Sequence, residues 1–291
     1  MRRRGAIPDA DSFAGRVLEA PIPGGSLWHC RACFLSFRSP CLSLDRLNEL
    51  YRAGAEDTWT VPVENRPDWQ LVAKWLREKS SISDVLDVGC FDGAFLSLLP
   101  SRVRRFGVEI HEGAADRALR AGVEIVGGDY QELGRLEAKY ECITAFDVVE
   151  HVPRPEAFVD LLSRRVRQDG VLIVSTGNSD ARSWRMMKGA YWYCWLPEHV
   201  AFINPHWCRH LAPKLGLQVE EIRRFSHEDW NWKLAAGEMA KNFLYRTAPG
   251  MAATVHRRQL EQVGIARPTL AKAPPSWVSA RDHFVVIFRK T

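Results

Sequence analysis

The stretch Val85-Leu-Asp-Val-Gly-Cys-Phe-Asp-Gly-Ala-Phe-Leu96 constrains what this chain can fold into more than any other. A short apolar strand reaches an acid, two glycines bracket a tight turn, and an apolar helix follows. A strand that feeds a helix in this way belongs to a parallel sheet covered on both faces, not to a sandwich or a bundle. The turn aims backbone N–H groups and the strand-end carboxylate of Asp87 at whatever lies above the sheet edge. The same alternation repeats downstream. Strands are expected at Val85–Val88, Phe106–Ile110, Glu124–Val126, Cys142–Val149, Val171–Ser175, Val219–Ile222 and His283–Phe288, with helices at Ala94–Leu99, Ala114–Ala121, Pro155–Arg167 and Pro205–Leu215. The last segment has no helix after it and suits a closing edge strand. The excursion before it, residues 226–279, carries helical patterns at Trp232–Tyr245 and Ala252–Val263.

The acids narrow the ligand. A dinucleotide asks for a small middle residue in the glycine turn and no charge at the helix start. Here Phe91 and Asp92 occupy those places, so nicotinamide cofactors are disfavoured and a phosphate-free ligand with a cationic group and a ribose fits better. Glu109 ends the second strand, where a carboxylate can accept both ribose hydroxyls. Asp129 follows the third strand, placed to accept from an exocyclic amine. Asp147, Glu150 and His151 follow the fourth.

These segments, VLDVGCFDGAFL (85–96), FGVEIH (106–111), GGDYQEL (127–133), ITAFDVVEHVPRPEAFVDLL (143–162) and RQDGVLIVSTGN (167–178), resemble the class I S-adenosylmethionine-dependent methyltransferases. The block LPEHVAFINPHWCRHLAPKLGLQVEEI (196–222) is similar to the branch holding ubiquinone-pathway O-methyltransferases and sugar or natural-product methyltransferases. The resemblance implies an α/β, Rossmann-like fold: a seven-stranded, mostly parallel sheet with an antiparallel last strand, helices on both faces and a helical lid insertion over 226–279. It implies S-adenosylmethionine as cofactor, with Asp87, Gly89 and Gly93 at the methionine part, Glu109 at the ribose, Asp129 at the adenine amine and Asp147 near the methionine end. Cys90, Phe91, Ile110 and Tyr130 complete that cofactor set. Phe91 departs from the family's usual glycine. His151 is the candidate base, with Glu150 and His199 beside it as catalytic candidates. Asp147, Glu150, His151 and His199 also resemble a divalent-metal set, which is not favoured because the family gives the Asp147 region to the cofactor. Transfer to oxygen of a small molecule or glycan is expected. Alternatives are N- or C-directed transfer and a methyltransferase-like protein that only binds.

The other features set bounds. Residues 1–26 read as a mobile lead-in and 27–66 as a small extension with a remnant zinc knuckle, ahead of the methyltransferase domain over 67–291. Cys30 and Cys33 want two further ligands, so zinc there is not expected. Seven cysteines in a large chain do not suggest a disulfide framework, and Cys90, Cys142, Cys194 and Cys208 read as buried fillers. The net charge of +5 is scattered in pairs, without the concentrated basic face that nucleic acid requires. No run reaches the length of a membrane span, and no signal-peptide pattern follows Arg2-Arg3-Arg4, which leaves the cytoplasm as the expected address. Eleven tryptophans remain to be placed. Tyr191, Trp192, Trp195, Trp230 and Trp232 are expected to roof the substrate pocket, as a stacking wall for a sugar, an aromatic ring or a lipid-linked acceptor. Trp28, Trp59, Trp69, Trp75 and Trp277 are expected to be structural and outside it.

Overall fold

Every expected strand between Asp84 and Lys290 joins one sheet. The computed structural model describes residues 1–54, 59–79, 81–228, 231–265 and 267–291. Its first elements are β1 (Arg2–Ala6), β2 (Ala10–Phe13), β3 (Arg16–Ile22), β4 (Ser26–His29), β5 (Ser36–Ser39), α1 (Leu44–Arg52) and α2 (Pro67–Arg77). The alternating part follows as β6 (Asp84–Val88), α3 (Ala94–Ser97), β7 (Arg104–Val108), α4 (Glu112–Arg120), β8 (Glu124–Gly127), β9 (Tyr140–Phe146), α5 (Pro155–Arg165) and β10 (Val166–Gly177). Next come α6 (Arg182–Met187), α7 (Trp192–Trp195), β11 (Ala201–Phe202), α8 (Pro205–Leu211), β12 (Leu217–Phe225), α9 (Trp232–Thr247), α10 (Pro249–Gln262), α11 (Pro268–Ala271) and β13 (His283–Lys290).

The large sheet has the order β12-β13-β10-β9-β6-β7-β8, with β13 antiparallel to both neighbours. The last strand is therefore not the edge; it inserts between β10 and β12, and β12 takes the edge. The residue alternation of the strands explains the two layers of core. Leu86, Ile143, Leu172 and Val286 pack with α5 and α8 on one face, while Val85, Cys142, Ile173 and Val285 pack with α2, α3 and α4 on the other. The strand order reverses between β9 and β6, and a crevice opens at the carboxyl ends of the strands beside that reversal. Cys90, Cys142 and Cys208 are buried in these cores, and Cys194 is buried in a separate cluster with Trp184 and Tyr191.

The first 26 residues are not a loose lead-in. β1, β4, β5 and β11 form a second sheet, and β2 pairs with β3. Ile7 and Leu27 pack on Trp184, Tyr191 and Phe202, and Phe13 packs with Leu47 and Val200. β1 and β3 are mostly exposed, and neither the basic run of β1 nor the Arg16–Ile22 segment shows the apolar alternation that marks a strand. One buried cation ties this module to the catalytic part. Arg38 on β5 donates to the carbonyls of His199 (3.1 Å), Leu196 (2.8 Å), Gly24 (3.3 Å) and Cys194.

The excursion is helical as expected, but α9 and α10 do not roof the crevice. Tyr245 joins the core under Trp184 and Trp277, Glu238 accepts from Val278 and Ser279, and Arg267 pairs with Asp11 of β2. Among the described residues, no helix is long and apolar enough to cross a membrane.

Replacing Arg38 leaves four carbonyl groups without their shared donor. Arg38→Met should lower stability to urea by about 2–4 kcal/mol, because each buried acceptor loses its partner outright. An unfolding midpoint matching that of the unaltered chain would contradict this role.

Candidate active site

A cavity of about 540 Å³ lies at the carboxyl ends of β6, β7, β8 and β9. Asp87, the penultimate residue of β6, is buried and accepts from the Thr144 hydroxyl of β9 at 2.7 Å. Burial pushes its pKa up to about 7, against the opposing pull of Thr144 and the Arg66 guanidinium. The chain then turns through Gly89 (φ +78°), Phe91 (φ +48°) and Gly93 (φ +80°). A side chain at Gly89 would strike Val148, and one at Gly93 would strike Val123, so both positions need glycine on space as well as on φ. Phe91 holds a left-handed conformation without that freedom. Its N–H donates to Glu109 at 2.8 Å, and the His111 N–H donates to the other Glu109 oxygen at 2.8 Å. Glu109 is thus oriented by the backbone of two elements. Burial raises its pKa, and the two N–H groups hold the rise in check. Asp129 caps the turn after β8 through the Gln131 N–H and accepts from Asn48 of α1 at 2.9 Å.

Asp147, just beyond β9, has φ +52° and accepts from Arg66 at 2.9 Å. The same guanidinium grips the fully buried Asp68 through two bonds of 3.0 and 2.8 Å and lies 4.4 Å over the Trp69 ring. Glu150 is enclosed, with one oxygen taking the Tyr193 hydroxyl and the other the Thr176 hydroxyl at 2.8 Å. Its burial, followed by the charge of Asp147, pushes its pKa up to about 8. His151 presents Nδ1 to the Glu198 carbonyl at 3.2 Å, with the Tyr51 hydroxyl alongside. A carbonyl only accepts, so a proton on Nδ1 leaves Nε2 as the basic lone pair. His199 does the same with the Tyr193 carbonyl at 2.9 Å. Burial lowers the pKa of both imidazoles, most strongly that of His199, which also faces His151.

The four residues that resemble a divalent-metal set, not favoured from the sequence, come together only in part. Ligand atoms of Glu150, His151 and His199 lie within 4.8 Å of one another, but Asp147 is held by Arg66 and both Glu150 oxygens accept hydroxyl protons. These side chains fit a hydrogen-bond network and not a metal's coordination shell. Cys30 and Cys33 flank a turn closed by the Phe34 N–H on the Cys30 carbonyl. Among the described residues, no third ligand joins them.

Asp87, Gly89, Cys90, Phe91, Glu109, Ile110, Asp129, Tyr130, Asp147, Glu150, His151, His199 and Trp192 all border the cavity. Gly93 does not; it starts α3 behind the turn. The expected aromatic roof is largely wrong. Tyr191 is buried behind the wall and donates to Asp282, Trp195 donates to the Asp9 carbonyl, and Trp232 projects outward with 63% of its surface exposed. Trp230 lies outside the described residues. The cover comes instead from the segment ahead of α2, where Leu44, Asn48, Tyr51, Trp59, Val61, Asn65 and Arg66 face the cavity, joined by Trp69. Trp59 and Trp69 were expected elsewhere. A signal existed: Leu44, Asn48 and Tyr51 share one helical face, and Arg66-Pro67-Asp68 marks a helix start beside the strand ends. His227, His283 and Glu198 complete the far wall and were also missed.

Residues 62–222 match the family described as a methyltransferase domain. The chain is 29% identical over 182 residues to a ubiquinone biosynthesis O-methyltransferase of Cereibacter sphaeroides, covering 55% of this chain and 71% of that one. It is 30% identical over 196 residues to a protein of the same description from Leptothrix cholodnii, covering 58% and 81%. In fold it is similar to an N-methyltransferase from Bradyrhizobium japonicum WM9 solved with S-adenosyl-L-homocysteine. That likeness has a TM-score of 0.52 and 12% identity and spans 84% of this chain and 97% of the other.

The raised acids give the ligand-free protein a pH signature. Asp87 and Glu150 keep protons in the folded state to about pH 7 and about pH 8, whereas in the unfolded chain they lose them near pH 4. The folded state therefore binds more protons than the unfolded state, and stability falls as pH rises through that interval. The depressed histidines His151 and His199 act oppositely, but only below the unfolded imidazole pKa of about 6.5. The thermal midpoint without cofactor should thus decline from pH 6.5 to pH 8. A midpoint that rises over that range would refute the assignment.

Proposed function

The chain belongs to the class I S-adenosylmethionine-dependent methyltransferases, and from that premise we propose that this cavity serves methyl transfer to an oxygen of a small-molecule acceptor. The observation that carries the proposal is the convergence of Asp87, Glu109, Asp129 and Asp147, from four successive strand ends, on a single cavity. When bound, S-adenosylmethionine supplies a methyl group made electrophilic by its sulfonium charge.

The chain's own residues have three tasks. Glu109 receives the ribose hydroxyls on the lone pairs that Phe91 and His111 leave free, and Asp129 receives the adenine amine. Asp87 and Asp147 provide negative potential where the cofactor carries its cationic end, and a cation's arrival favours the ionised form of Asp87. His151, neutral because it is buried, accepts the acceptor's proton on Nε2 as the oxygen–carbon bond forms and the carbon–sulfur bond breaks. The apolar cover of Tyr51, Trp59, Trp69 and Phe91 keeps water from that line of attack. Direction toward oxygen is supported by relatives described as O-methyltransferases of ubiquinone biosynthesis, and the aromatic cover suits a ring-bearing acceptor.

Two measurements test this reading. Asp87→Ala and Glu109→Ala should each weaken S-adenosylhomocysteine binding by roughly tenfold or more in calorimetry, since each removes a charge-assisted contact. Unchanged affinity in both variants would sink the cofactor assignment. His151→Ala should lower transfer of tritiated methyl to a panel of phenols and sugars by about 10²-fold or more, with cofactor affinity kept and activity surviving EDTA. Activity that EDTA abolishes and Mg²⁺ restores would move His151 from base to metal ligand.

A further inference from the structure

His283 opens β13. Because that strand runs against its neighbours, its first residue lies where the parallel strands end: His283 pairs with Gly177 at the end of β10 and with Phe225 at the end of β12. Its side chain is 1% exposed and borders the cavity. Nδ1 donates to Asp282 at 2.9 Å, and the other Asp282 oxygen takes the Tyr191 hydroxyl. Asp282, itself 1% exposed, thereby fixes the ring plane, and although its charge raises the imidazole pKa, the neutral ring at high pH keeps its proton on Nδ1. Nε2 is left buried without a hydrogen-bond partner. The Trp192 indole N–H, on a ring whose centroid is 6.3 Å from that of His283, is buried as well, beside the Tyr191 hydroxyl but without a well-formed hydrogen bond. Unpaired groups at a cavity wall are costly and call for a ligand that answers both. The Tyr193 ring lies 4.1 Å from that of His199 and 5.1 Å from that of His283, and His283 opens β13 whereas His151 follows β9. His227 packs edge to face on His283 at 4.2 Å and is part-exposed.

We propose that His283, set by Asp282 and Tyr191, is a second anchor for the methyl acceptor. Its Nε2 receives a hydrogen bond from an acceptor hydroxyl other than the one methylated, and that hydroxyl's oxygen accepts the Trp192 N–H. His227 is the ring that yields to admit it. This rests on the methyltransferase reading for the identity of the acceptor, but not for the hydroxyl recognition. Acceptors with a single hydroxyl leave the two groups unpaired, so the position selects for polyhydroxylated molecules. The hydroxyl can come from an aromatic ring or from a glycan.

The test uses the full chain with ¹⁵N-labelled histidine, recorded with and without S-adenosylhomocysteine, at pH 8.5. Resorcinol probes the aromatic source and methyl glucoside the glycan source. In the free protein His283 should carry its proton on Nδ1, and its Nε2 resonance should shift with one or both probes. His283→Phe and Trp192→Phe, which keep the rings and remove the nitrogens, should each weaken probe binding roughly fivefold. His227→Ala should strengthen it. Asp282→Asn, nearly isosteric, should release the tautomer and abolish the Nε2 shift even where His283→Phe folds poorly. A His283 Nε2 resonance unmoved by both probes, or variants that bind them as the unaltered chain does, overturns the proposal. Failure of S-adenosylhomocysteine to bind the unaltered chain overturns the cofactor reading instead, and the probe shifts read the His283 anchor independently of it.

Discussion

Gathering Asp87, Glu109, Asp147 and Glu150 around one cavity, with Asp68 buried beside it, carries desolvation and like-charge costs that a few partners offset. Arg66 holds Asp68 and Asp147 together, and its own charge is kept by them although burial alone would lower its pKa. Thr144 serves Asp87, two backbone N–H groups serve Glu109, and two hydroxyls serve Glu150. Hydroxyl partners answer a carboxyl less fully than a guanidinium does, and Asp87 and Glu150 are accordingly pushed up to about 7 and about 8, with Glu109 raised as well. The cavity is electrostatically unfinished in a direction that a cationic ligand completes. The glycine turn, the reversal of strand order and the α2 start beside them all serve to bring these acids to one edge.

The first 66 residues close that edge. Asn48 meets Asp129, Tyr51 meets His151 and Arg66 meets Asp147, so the cover is tied by three contacts at two strand ends, those of β8 and β9. Arg38 anchors the same module from beneath by gathering carbonyls of the 194–199 loop, which is the loop that carries Glu198 and His199. Loss of Arg38 would therefore loosen the wall of the cavity as well as the core below it. The exposed face of α9 and α10, with Met239 and Phe243 outward, stands apart from this arrangement.

The parallel core was legible because its signals are local. Alternating apolar strands, Pro155 and Pro205 at helix starts and the glycine turn each specify geometry within a few residues. The acids at the strand ends followed from the same register. What was not legible depends on contacts between distant segments. Trp59 and Trp232 are the same residue type in similarly polar surroundings, yet one faces the cavity and the other solvent, because residues 59–66 pass beside the strand ends and α9 does not. β1 and β3 are edge-like and exposed, so they lack the buried alternation that identifies a strand. His283 was hidden for a topological reason: an antiparallel strand presents its beginning, not its end, to the ligand edge, and β13 enters between β10 and β12 instead of closing the sheet.

The central claim is that the strand-end acids of β6 to β9 hold the methyl donor in the cavity beneath Tyr51, Trp59 and Phe91. A crystal structure of the chain with S-adenosylhomocysteine tests it most directly. The account predicts ribose hydroxyls on Glu109, the adenine amine on Asp129 and the sulfur between the Gly89 turn and Asp147. Cofactor bound elsewhere on the chain, with Glu109 and Asp129 untouched, would contradict it.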